Sequence, residues 1–378
     1  MNKINNNLLL IIFCIFLINC SFGPTTRIWN DLSKDLEIAK NRENTKLIFS
    51  SSKKFDKETK SNEVIRVSRP YKNQNWSQQN FTNGNYVPHL IYQNKKNLIF
   101  KSKKLGKNKF NFIDGDFQPI IENDLVFFYD PSGTVFSYSL DEERLIWKYN
   151  FYRKRYKNIQ KEINLHISSG GLIASDNLGF IYSLNKSSGK IQWAKSYGVP
   201  FKSNIKTDEN NVFLINQDNK LYVIGEEKGD QRLDLETFPS FLKSNNKSNI
   251  SLDDSRKDAY FITSAAEIYS LNYRNRNINW LFNLTGTSTD KQVDLFYSSP
   301  IVHLDDEIFL STSLSSFSMN SRNGGLNWEF PFSTKIRPII LKNYVFLISK
   351  NGFLITLNRK TGKVVWSQNI FKNLKKLK

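Results

Sequence analysis

Sulfur is nearly absent from this 378-residue chain, which has two cysteines, Cys14 and Cys20, and two methionines. Both cysteines fall within the first twenty residues, so the rest of the chain holds no disulfide, no Cys-x-x-Cys metal pair and no haem-attachment motif. Histidine is scarce too: His89, His166 and His303 are isolated, without the spacing of a metal-binding helix. Acid is short against base, with 35 Asp and Glu facing 54 Lys and Arg for a net charge of +19. No Walker, zinc-finger or RNA-binding signature accompanies that charge, which argues against nucleic acid. The lysines are dispersed, with local runs at 101–109, 152–157 and 372–378, and suit solvated loops or attraction to an anionic membrane surface. "GTSTD" and "SSGG" lack the strand–turn–helix context of a nucleophile elbow. No stretch after residue 60 carries the period of a long helix.

What the chain has is repetition. "LNKSSGKIQW" ends at Trp193 and "LNRKTGKVVW" at Trp366; related stretches end at Trp280 and Trp328, a shorter one at Trp147, and "IGEEKGDQRL" keeps its Gly but ends on Leu233. Each follows a pair of apolar runs beginning at Val126, Leu172, Val212, Tyr260, Ile308 and Val345, at intervals of 37 to 48 residues. The runs are rich in Val, Ile, Phe, Tyr and Leu, as strands are, and the turn formers between them include Asp130–Gly133, Asp176–Gly179 and Asn219. About four short strands per unit of roughly 40–45 residues predict an all-β propeller of four-stranded antiparallel blades. Trp147, Trp193, Trp280, Trp328 and Trp366 are expected in equivalent buried positions between sheets.

The N-terminus points to export. It has an early Lys and an apolar run, Leu8–Ile18, too short to span a bilayer comfortably, and it fits a secretory signal. Residues 1–20 read as that signal, 21–72 as a polar, largely disordered tether, and 73–378 as the propeller.

Two resemblances follow from these residues. "LINC", ending at Cys20, resembles the lipoprotein signal, in which the Cys becomes the lipidated first residue; Asn19 stands where that family prefers a small residue, and Ser21 points to the outer membrane. The repeat resembles the PQQ-like propeller repeat. Together with the lipoprotein leader, the tether and "NWSQQNFTNGNY", it resembles the family of the outer-membrane protein assembly factor BamB. Six units are clear and 81–116 holds incomplete strand material, so the expectation is about seven blades, or the family's eight with the C-terminal part of a longer protein missing. The resemblance implies a non-enzymatic scaffold without cofactor or metal, lipid-anchored at the periplasmic face of the outer membrane. Its implied partner is the periplasmic part of the barrel insertase (BamA-like). In the family, a Leu/Arg loop and an acidic loop of neighbouring blades make that contact. By order along the chain the corresponding inserts are 234–249, with Leu242 and Lys243, and 284–300, with Asp290 and Asp294. Lys243 lacks the bidentate fork of Arg. The same repeat also occurs in PQQ-dependent dehydrogenases, which resemble one another in a calcium ligand set and often a vicinal cysteine pair. This sequence has no such pair, and the other alternative is a periplasmic propeller with a different binding role, such as a sensor or a cell-wall-binding protein.

Overall fold

The computed structural model describes residues 55–61, 64–92, 98, 101–106, 118–238, 247–284 and 297–372. These all belong to the larger of two units, Lys54–Lys378. The signal residues, with Cys20, lie outside the described residues.

Six four-stranded antiparallel sheets follow one another in the chain. The first is β1 (Ile120–Glu122), β2 (Leu125–Tyr129), β3 (Thr134–Ser139) and β4 (Arg144–Asn150). The second is β5 (Ile163–Ile167), β6 (Leu172–Asp176), β7 (Phe180–Leu184) and β8 (Ile191–Ser196). The third is β9 (Lys206–Asp208), β10 (Asn211–Ile215), β11 (Leu221–Gly225) and β12 (Gln231–Leu235). The fourth is β13 (Ile250–Asp253), β14 (Asp258–Ile262), β15 (Glu267–Asn272) and β16 (Asn277–Asn283). The fifth is β17 (Val302–Leu304), β18 (Glu307–Ser311), β19 (Ser316–Asn320) and β20 (Leu326–Phe330). The sixth is β21 (Ile339–Leu341), β22 (Tyr344–Ile348), β23 (Phe353–Asn358) and β24 (Val364–Asn369). This is the expected propeller, and helix among the described residues amounts to one 3-10 turn, Lys154–Tyr156. Parts of the strand material expected at 81–116 (93–97, 99–100 and 107–116) lie outside the described residues.

The period of two explains why the middle strands are largely buried along their length, serines included. In the third sheet Val212 and Leu214 pack against Ile173 and Ile181 of the second, while Phe213 and Ile215 pack against Ile250 and Phe261 of the fourth. Both faces of such an inner strand are thus buried, so that Ser316 and Ser318 of β19 lie inside as Phe317 and Met319 do, whereas an outer strand such as β12 has exposed and half-buried residues. Five clusters of this kind join the six sheets in chain order.

The tryptophans lock each sheet to the next turn. Trp147, Trp193, Trp280 and Trp328 donate their indole N–H to the carbonyls of Lys186, Glu226, Ser321 and Arg359, at 2.7, 2.7, 2.9 and 2.8 Å. Three residues after each acceptor comes a glycine, Gly189, Gly229, Gly324 or Gly362, with φ of 66–71°. Its missing side chain is where the indole lies: a Cβ there would sit 2.5–2.8 Å from the ring. Trp147 and Trp328 are buried; Trp193, Trp280 and Trp366 are half-buried. The one broken link is consistent at both ends. The third sheet has Leu233 in place of Trp, and the turn that would receive it, in the fourth sheet, has Arg276 in place of Gly.

Phe55, inside the stretch expected to be tether, packs at a tilt against Phe330 and edge-on against Phe353. Thr59 bridges Ser367 of β24, with both backbone hydrogen bonds at 3.0 Å. The chain therefore returns from residue 55 onwards to the outer edge of its last described sheet.

Candidate functional site

Two regions are distinctive: the axis on which the inner strands converge, and the face that carries the two inserts.

An innermost strand has one free backbone edge, and unpaired buried backbone is costly. Residues 76–85 satisfy those edges in turn. Trp76 exchanges backbone hydrogen bonds with Ile121 of β1, at 2.7 and 2.9 Å. Ile167 of β5 donates to the Ser77 carbonyl at 2.9 Å, Leu252 of β13 to Asn83 at 2.9 Å, and His303 of β17 to Gly84 at 2.8 Å. Lys206 of β9 is fully buried, and its Nζ donates to Gln78 Oε1 at 3.0 Å and to the Thr82 carbonyl at 2.6 Å. Arg337, just before β21, donates to Asn80 Oδ1 at 3.2 Å. Asn85, also fully buried, donates to the carbonyls of Ile250 and Ile301, at 2.9 and 2.7 Å, and accepts from Asn204 at 3.3 Å. Gly84 admits no other residue without movement, since a Cβ would lie 2.6 Å from the His303 carbonyl oxygen. The segment "NWSQQNFTNGNY" is thus an axial core, and its amides supply donor and acceptor to strands arriving from all sides.

Charge at the axis is held down by burial. Burial, then the Arg337 guanidinium, pushes the Lys206 ammonium well below its usual value. Burial, then Lys206, lowers the His166 imidazole from 6.5 to about 3, so that it is neutral and bonds Thr207 Oγ1 through Nε2 at 2.8 Å. Burial lowers His303 as well. A polar cavity of about 550 Å³ lies beside the axial segment, lined by Glu122, His166, Lys186, Asp208 and Glu226 among others. Its carboxylates are engaged: Glu122 pairs with Lys186 at 2.9 Å, Asp208 with Lys257 at 2.9 Å, and Glu226 accepts from the Gly170 N–H at 2.6 Å. Among the described residues no three His, Cys, Asp or Glu side chains converge on a metal position.

The antiparallel order puts the β2–β3 type turns and the sheet-to-sheet connections on one face, and the other turns on the opposite face. Both inserts are connections, 234–249 between β12 and β13 and 284–300 between β16 and β17, so both emerge on that first face. Leu242, Lys243, Asp290 and Asp294 lie outside the described residues. The described ends of the two inserts do meet: Lys247 and Ser248 from the first and Tyr297 and Ser298 from the second line one small cavity of about 20 Å³. The floor is stiff. Asn219 and Ser264, in the turns of the third and fourth sheets, exchange hydrogen bonds at 2.8 and 2.9 Å. The Tyr297 hydroxyl bonds Ser333 Oγ at 2.6 Å, and Lys335 lies over the Tyr297 ring at 4.6 Å. Around the floor stand three large apolar side chains open to solvent: Phe238 at 64%, Leu314 at 61% and Ile336 at 52% exposure. The repeat pattern located the inserts but not these three, which sit in turns and connections where it is silent.

Six sheets locked by Trp–Gly contacts around a common axis define a β-propeller of the PQQ-like repeat class. The chain belongs to the family described as outer membrane protein assembly factor BamB, whose pattern matches residues 161–368. Among solved structures it is similar to BamB from Moraxella catarrhalis, at 16% identity and a TM-score of 0.56, covering 68% of this chain and 76% of that one. It is also similar to a europium-containing methanol dehydrogenase, at 10% identity and a TM-score of 0.54, covering 67% and 68%. At such identities the likeness shows the fold alone. No curated protein sequence matches the chain.

Proposed function

We propose that the protein is a non-enzymatic scaffold of outer-membrane protein assembly. Anchored by a lipid on Cys20 to the periplasmic face of the outer membrane, it docks its insert-bearing face on the periplasmic domains of the barrel insertase. The observation that supports this reading is the meeting of the two insert ends on a stiff floor ringed by Phe238, Leu314 and Ile336. Exposed apolar side chains beside polar loops are how a rigid platform offers a few desolvated anchors within a polar rim. Leu242 adds an anchor in this reading, Lys243 a cation beside it, and Asp290 and Asp294 set encounter rate and orientation.

A dehydrogenase is disfavoured by the axis. A calcium-like ion takes about six to eight oxygen ligands, and the described axial carboxylates are already bound to neighbouring cations, hydroxyls or backbone. The residues present do not fit a metal-bound quinone there. The test is the affinity of the full chain for the insertase's periplasmic domains, compared with Leu242→Ala and Asp294→Lys variants shown to be folded. Weakening of about 5- to 150-fold is expected for an anchor of this kind. Unchanged affinity in both variants places the docking surface elsewhere.

A further inference from the structure

A second surface, on the same face but at the first sheet, is built from the basic runs that the scaffold reading leaves unused. The connection from β4 to β5 folds into the short turn Lys154–Tyr156 and presents Arg153, Lys154, Arg155 and Lys157 to solvent. The loop is held rigidly. Tyr152 packs so closely on the β2–β3 turn that a Cβ on Gly133 would lie 2.3 Å from its ring, and its hydroxyl donates to Asp176 Oδ2 at 2.6 Å. Tyr156 meets Phe180 edge-on at 5.7 Å, and the Arg155 guanidinium lies 4.7 Å over the Tyr156 ring.

Lys101, Lys103 and Lys104, all exposed, stand on the segment that leads to the same β2–β3 turn. Gly106, two residues on, sits so close to that turn that a Cβ would lie 3.0 Å from Asp130 Cβ. Four exposed cations therefore stand on the connection packed against this hairpin, and three more precede Gly106, which touches it. Among the described residues no carboxylate forms an ion pair with any of them. The carboxylates inside the structure are spent locally: Asp130 accepts the Thr134 N–H, and Asp176 the N–H groups of Leu178 and Phe180. Glu162, at the foot of β5, is the exposed acid next to the loop. Beside the cations Ile159 stands 43% exposed.

We propose that this patch docks on the anionic surface of a lipid bilayer, its cations on headgroup phosphates and Ile159 at the headgroup–acyl boundary. Four to eight clustered Lys and Arg at a bilayer surface are attracted strongly by anionic lipid, over a range set by the Debye length. An exposed aliphatic side chain among the cations suits a bilayer better than a nucleic-acid backbone, and among the described residues of the patch the aromatic rings, Tyr152 and Tyr156, are partly buried against the hairpin and Phe180. The proposal does not rest on insertase docking.

The test uses the full chain as Cys20→Ser, so that no lipid is attached. Co-sedimentation is measured with vesicles of phosphatidylcholine alone and of equal parts phosphatidylcholine and phosphatidylglycerol. Any contribution of the leader is common to all variants, so the excess binding to the anionic vesicles is compared between them. One variant carries Arg153→Gln, Lys154→Gln, Arg155→Gln and Lys157→Gln. A control removes equal charge from the opposite face through Lys190→Gln, Lys228→Gln, Lys360→Gln and Lys363→Gln. The patch variant is expected to lose on the order of 100-fold of the excess binding, and the control far less. Raised salt should abolish the excess. Equal losses in patch variant and control, or no excess on anionic vesicles, overturn the proposal. So does tighter binding to an RNA duplex than to anionic vesicles at the same salt.

Discussion

The Trp147 indole rests where the side chain of Gly189 would be, with a Cβ on that glycine 2.5 Å from the ring. Gly189→Ala therefore combines a left-handed backbone, φ 68°, with overpacking against an aromatic ring. A loss of about 2–4 kcal/mol in denaturant unfolding is expected. In a Trp147→Leu background the same substitution should cost markedly less, because the ring is gone and only the backbone strain remains. That double-mutant cycle reproduces what the chain has already done at Leu233 and Arg276, where both partners are absent together. Equal costs in the two backgrounds would mean that indole and glycine are not coupled.

This pairing also shows how far the sequence could be read. The repeats announced the sheets, the turns and the five tryptophans, because strand period and turn chemistry are local. The sequence also displayed a repeat with Gly229 but no Trp of its own. The reason for Gly229 appears only in three dimensions, since that glycine faces Trp193 of the preceding sheet. The axial role of Asn83, Gly84 and Asn85 was likewise out of reach. Their partners, Leu252, His303, Ile250 and Ile301, lie more than a hundred residues away, and an Asn-rich stretch in an Asn-rich chain carries little local signal. Phe238, Leu314 and Ile336 shared that fate, because exposure in a turn leaves no period.

Asn85 ties the fourth and fifth sheets through one buried amide. Replacing it with Ala takes a buried donor from the Ile301 carbonyl and one of two partners from both the Ile250 carbonyl and the Asn204 amide. A loss of about 2–4 kcal/mol is expected on thermal or denaturant unfolding. Gly84→Ala should be comparably damaging, since the obstructing atom is a backbone oxygen. If either variant unfolds like the parent, residues 76–85 are an accessory to the ring and not its axial core.

Acid should loosen the axis through His166. Its folded value is about 3 against an ordinary 6.5, so the unfolded chain takes up the proton first. The stability this residue contributes is full above about pH 6.5 and is lost as pH falls toward 3. Within that window the slope from one such histidine is about 1.4 kcal/mol per pH unit. His303, lowered by burial, adds in the same direction. His166→Gln should flatten the dependence by close to one proton in unfolding titrations between those limits. An unchanged slope would mean that His166 is protonated in the folded state.

Docking through the insert face is tested most directly by photocrosslinking in intact cells. A photoreactive amino acid is placed at Phe238, beside the first insert, and separately at Leu140, in the β3–β4 turn on the opposite face. An adduct with the barrel insertase from position 238, and none or far less from 140, is the expected result. An insertase adduct from 140 alone, or adducts from 238 that never include the insertase, would contradict it.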